Sequence, residues 1–110
     1  MAYRLMIPPA AEEQFDNLVF YLLYELQNRA AAENLISQTQ RIYTRLEENP
    51  YQFPVCDNPL LTTNKYREAI LTSMNYVIIF RIDAECVYIV GIFHQLENYY
   101  IKLPTWTEIP

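Results

Sequence analysis

His94 is the only histidine in the 110 residues, and it closes the run "VYIVGIFHQ" (87–95) behind Gly91, the only glycine. An imidazole titrates near neutrality, so it can take or release a proton in catalysis. A lone His at a strand end serves equally well as a hydrogen-bonded structural residue. Arg67 stands one residue into "YREAILT" (66–72), and Arg81 near the end of "YVIIFRI" (76–82). Planar guanidinium donors bind phosphate; the alternative is a strand-end arginine paired with an acid such as Glu68 or Asp83. Tyr99 and Tyr100 could stack on a base or donate a proton, or pack the tail against the sheet.

Other chemistries lack their parts. One glycine rules out a glycine-rich phosphate loop. Ser37 and Ser73 stand in no nucleophile motif. Cys56 and Cys86 form no CxxC pair, and one histidine does not complete a zinc site with them. Neither a metal nor an organic cofactor is expected. The formal net charge is −5 and the pI about 4.7, which disfavours non-specific nucleic-acid binding through clustered Lys and Arg. The acids concentrate in residues 1–60, so any anion site belongs to the near-neutral second half. Ten Tyr, five Phe and one Trp exceed what a small core needs, which points to a partner protein. No apolar run reaches membrane-span length, and "MAYRLMIPPA" lacks a signal-peptide layout. A soluble, cytoplasmic protein is the expectation.

The length suits one domain over 1–110. "YRLMI" (3–7) reads as a strand stopped by Pro8 and Pro9. A first helix follows from about Pro9 to Gln27, with Phe15, Leu18, Val19, Leu22 and Leu26 at helical spacing. Its apolar surface is wider than one stripe, so it packs on two sides or meets a partner. Asn28 suits the N-cap of a second helix, which Asn49-Pro50 ends. The tight join makes the pair an antiparallel hairpin. Residues 50–64 read as a loop tethered by Tyr51, Phe53 and Leu60. Three antiparallel strands follow at 66–72, 76–82 and 86–93, and the tail adds a short helix or an edge strand. The order is β-α-α-β-β-β, an α+β fold with a helical hairpin on one face of a small, mostly antiparallel sheet. The other face is expected to be bare, as a concave working or docking surface.

In this order and spacing, "YRLMIPPAAEEQFDNLVFYL", "IYTRLEENPYQFP", "KYREAI", "YVIIFRID" and "VYIVGIFHQ" resemble the RelE/ParE family of toxins from type II toxin–antitoxin modules. The resemblance covers nearly the whole chain. It implies a growth inhibitor of the plasmid-stabilisation type, neutralised by a cognate antitoxin whose tail wraps the hairpin and the open sheet face. RNA-cleaving members place basic residues and an aromatic where Arg67, His94 and Tyr100 (less closely Tyr99) stand. That reading implies a metal-independent endoribonuclease acting on ribosome-bound mRNA. Those members often open the next strand with a second "YR", which is Tyr76-Val77 here, and they carry Arg or Tyr where Gln95 stands. The pattern is nearer the ParE branch, whose members inhibit DNA gyrase. A third reading is a non-toxic remnant that keeps the fold and pairs with an antitoxin, or with itself as a homodimer.

Overall fold

The computed structural model describes residues 2–56, 65–72 and 74–94. The elements run β1 (Arg4–Met6), α1 (Pro9–Phe20), a π-turn (Tyr21–Glu25), α2 (Arg29–Glu48), a 3-10 turn (Pro50–Gln52), β2 (Arg67–Leu71), β3 (Tyr76–Asp83) and β4 (Cys86–His94). The expected helical hairpin is present. Proline is tolerated at the start of α1, where the first amides have no intrahelical partner. The chain then stays helical to Glu25, but the Leu26 N–H donates to the Tyr21 carbonyl at 3.0 Å, five residues back. Gln27 takes a left-handed φ of 49°, and the Asn28 N–H closes the turn on the Leu22 carbonyl at 2.8 Å. Asn28 caps α2 as expected: its Oδ1 accepts from the Ala31 N–H at 3.0 Å.

The helix α2 buries one stripe, Ala32, Leu35, Thr39, Ile42 and Leu46. Steps of three and four residues keep these positions on one face. They pack on the inward residues of the sheet, Ala69, Leu71, Ile78, Phe80, Val87, Ile89 and Ile92. The sheet order is β1-β4-β3-β2. β1 runs parallel to β4, and β4–β3 and β3–β2 are antiparallel. A bulge between Ile79 and Phe80 shifts the β3–β4 register. The chain after the 3-10 turn returns along the outer edge of β2. Val55 bridges Arg67, Cys56 N–H donates to the Tyr66 carbonyl at 2.9 Å, and Glu68 N–H to the Pro54 carbonyl at 3.1 Å.

The second sheet face departs from the expectation. It is not bare: Cys56, Tyr66, Val77, Ile79 and Phe93 form a second buried cluster, with Ile79 at 0 % and Tyr66 at 1 % exposure. The cause lies in β3 and β4, which send apolar side chains to both faces. Each such side chain left in water forfeits about 2 kcal/mol, so a strand apolar on both sides is built for cover on both. The Leu60 tether and the element expected in the tail lie outside the described residues.

Candidate functional site

Each candidate residue takes its position from the strand register. Arg67 opens β2 opposite Phe80, which belongs to the helix-side cluster. Side chains alternate along a strand, so Glu68 points to the other face and is not the partner of Arg67. The Arg67 Nη1 instead donates to the Phe53 carbonyl at 2.6 Å, and its guanidinium carbon lies 5.1 Å from the Tyr51 ring centre. A cation over an aromatic face is attracted by the ring quadrupole. The 3-10 turn presents both aromatics. Asn49 Oδ1 accepts from the Tyr51 N–H at 3.1 Å, and the Tyr51 ring meets Tyr3 edge-on at 6.2 Å.

A second arginine completes this corner. Arg45 lies 4.5 Å from the Phe53 ring centre. Its Nε and Nη2 donate to Gln52 Oε1 at 3.0 and 2.8 Å. The Gln52 Nε2 in turn donates to the carbonyls of Arg45, at 3.1 Å, and Asn49, at 2.8 Å. Phe53 rests edge-on against Phe80 at 5.9 Å. Sequence reasoning singled out Tyr51 and Phe53 as tethers but missed Arg45 and Gln52. The prolines bracketing "PYQFP" were the available signal for the turn; nothing local marks a guanidinium seven residues upstream.

His94 ends β4 opposite Tyr76, and the two rings meet edge-on at 5.5 Å. Burial, then the nearby Tyr21 phenol, pushes the Tyr76 hydroxyl above its ordinary value. Tyr76 packs against the helix-side cluster, so His94 also belongs to that side. Four residue steps along β3 separate the Tyr76 row from the Phe80 row, and β2 and β4 flank β3 on opposite sides. The Cα atoms of Arg67 and His94 are therefore about 16 Å apart by strand geometry. The structure does not bring the two together.

Arg81 faces the other way, opposite Tyr88 on the second face. Burial draws its guanidinium below the ordinary value, while Tyr66 and Asp83 hold it up. Tyr99, Tyr100 and Gln95 lie outside the described residues. Among the described residues no group of three His, Cys, Asp or Glu side chains could hold a metal ion, and no helix is long and apolar enough to cross a membrane.

This architecture, a helical hairpin on a four-stranded mixed sheet, is shared with a solved structure described as the chromosomal ParDE toxin–antitoxin system from P. aeruginosa. The TM-score is 0.66 at 15 % identity, over 84 % of this chain and 96 % of that one. At that identity the likeness defines the fold class. Residues 5–99 match the family model for the ParE toxin of the type II toxin–antitoxin system parDE, and the chain belongs to that family. No curated protein matches it.

Proposed function

We propose that the chain is a growth-inhibiting toxin held inactive by a cognate antitoxin polypeptide, with DNA gyrase rather than messenger RNA as its target. Family membership supports the toxin and its antitoxin. The separation of Arg67 from His94 supports the choice of target. RNA cleavage by these residues needs phosphate binding and proton transfer at one reacting centre, with heavy atoms within about 3.5 Å. Here the Arg67 guanidinium is committed to the Phe53 carbonyl at one end of the sheet, and His94 lies against Tyr76 at the other.

Expression of the chain alone is expected to arrest growth, and co-expression of the short frame beside its gene to restore it. The purified chain is expected to inhibit gyrase supercoiling and leave translation in a cell-free extract untouched. Cleavage of mRNA that is lost in His94→Gln would overturn the gyrase reading. It would place His94 at the reacting centre, and Arg67→Ala and Tyr100→Phe would then test the phosphate binder and the acid. Absence of arrest at comparable expression would identify a non-toxic binding module.

A further inference from the structure

One hydrogen bond ties α1 to the sheet at an unusual place. Opposed residues of an antiparallel pair alternate between bonded and non-bonded. Ile92 stands opposite Ile78 but donates its N–H to Gln14 Oε1 at 3.0 Å, so this amide points away from β3. It points to the edge that β1 lines, where the pairing stops at Met6 with Tyr88. Gln14 therefore supplies the acceptor that a longer β1 would have supplied. The neighbouring Gly91 leaves the space, because a Cβ there would collide with Gln14 Oε1.

Little else fixes α1. Ala11 is its one wholly buried residue, and its start has no side-chain cap. Both of its ends carry residues suited to absorb a change of direction. Pro8 is extended at the start; at the other end the winding loosens into the π-turn, and Gln27 takes a left-handed φ. On its inner side, Ala11 and Phe15 share a seam with Thr39 of α2 and with Ile78, Ile89 and Ile92 of the sheet, and the seam has no room for water. The Thr39 Oγ1 is buried and has no hydrogen-bond partner among the described residues. Thr39 faces α1 both in this seam and beside Glu12 and Asp16, so lifting α1 uncovers it. A hydroxyl unpaired in the closed state gains water in the open one, which favours opening.

We propose that α1 is a hinged strap. It lifts from the sheet as a unit while α2 and strands β2 to β4 stay folded; Gln14 is its latch, and the Thr39 hydroxyl gains water on its release. Nothing in this device depends on the target of the chain or on its antitoxin.

The test is native-state hydrogen exchange of the ¹⁵N-labelled full chain at rising, sub-denaturing urea. The amides of Phe15, Leu18 and Val19 should exchange as one group, at least about tenfold faster than those of Leu35 and Ile42, and with a weaker urea dependence. Val77→Ala truncates a buried residue of the second face, which stays packed when α1 lifts. It should speed Leu35 and Ile42 and leave the α1 group unchanged. Gln14→Met keeps the length and the apolar stem but loses the acceptor. It lowers the closed state against every open one, so it should speed both groups by the same factor, about fivefold. Thr39→Val should slow both groups. A single rate and urea dependence shared by α1 and α2 in the unaltered chain would overturn the proposal, as would a Val77→Ala variant that speeds α1 as much as α2. Unchanged α1 exchange in Gln14→Met, or in Thr39→Val, would overturn it as well.

Discussion

The two helices of the hairpin face the same sheet, yet they bury themselves in different ways. α2 inserts a single stripe, in which Leu35 and Leu46 are completely buried. α1 buries only Ala11 fully, with Leu22 following in the π-turn. Phe15, Leu18 and Val19 are half-buried, and Phe20, Tyr21 and Tyr24 stand exposed, Tyr24 at 69 %. Phe20 and Tyr24 stack on each other at 5.9 Å rather than on the core. The difference separates two uses of an apolar residue. On α2 it holds the fold, because its removal leaves a cavity. On the outer side of α1 it adds little to folding, and its exposure is the mark of a surface available to other molecules.

The sharpest test of that contrast pairs one substitution from each helix. Leu35→Ala removes a side chain surrounded by the sheet and should cost about 3–4 kcal/mol, as buried leucine truncations do. Phe20→Ala forfeits a solvent-facing stack and should stay within about 0.5 kcal/mol. Urea denaturation midpoints measure both. Comparable losses in the two variants would break the comparison.

A smaller effect tests the seam where the helices meet. Tyr43 projects from α2 toward Glu12 of α1, and burial first, then the Glu12 charge, pushes its phenol up to about 12. An unfolded tyrosine ionises near pH 10, so between roughly pH 10 and 12 the folded state holds a proton that the unfolded state has released. Stability contributed by the neutral phenol is complete below the unfolded pKa and is lost as pH rises through the folded one. The loss should reach about 2 kcal/mol. Thermal melts between pH 9 and 12 should show this decline in the unaltered chain and a flatter one in Tyr43→Phe. Parallel declines would remove Tyr43 from the seam.

The same contrast marks how far the sequence alone could be read. The stripe of α2 is legible because spacing by threes and fours records one buried face. The cap at Asn28 is legible because side-chain capping is a local interaction. β3 and β4 are recognisable as strands, and their apolar residues on both faces ask for cover on both; the cluster around Ile79 is missed because two of its members, Cys56 and Tyr66, come from outside the β3–β4 pattern. The π-turn was hidden because "YLLYE" continues the helical pattern without interruption.

In the candidate site, residue types were legible and distances were not. Arg67 and His94 were identifiable as chemistry-bearing residues, yet only the pairing of Arg67 with Phe80 and of His94 with Tyr76 separates them. Gly91 shows the same limit. A Cβ there would collide with Gln14 Oε1 and lie 2.9 Å from Phe93 Cζ. That Gln14 oxygen accepts from the Ile92 N–H at 3.0 Å. A larger residue at 91 would have to displace the Gln14 side chain and its bond, and Gln14 lies 78 positions from Ile92, beyond the reach of any local pattern.

The smallest effect concerns how the two helices begin. α1 starts at Pro8 without a side-chain cap; the Ala11 and Glu12 amides share the Pro8 carbonyl at 3.0 and 3.1 Å. α2 starts at Asn28, whose Oδ1 takes one amide that the helix itself leaves unpaired. Asn28→Ala should therefore cost about 1 kcal/mol, and the loss should be local. Hydrogen exchange at the Ala31 amide should quicken, while exchange in the first turn of α1 is unchanged, because that turn never depended on a side chain. Asn28→Asp keeps an acceptor at the same place, with a charge suited to the positive end of the helix, and should restore the protection. If Asn28→Ala left Ala31 protected, the start of α2 would be held by the packing of Ala32 and Leu35, and the two helix starts would no longer differ in kind.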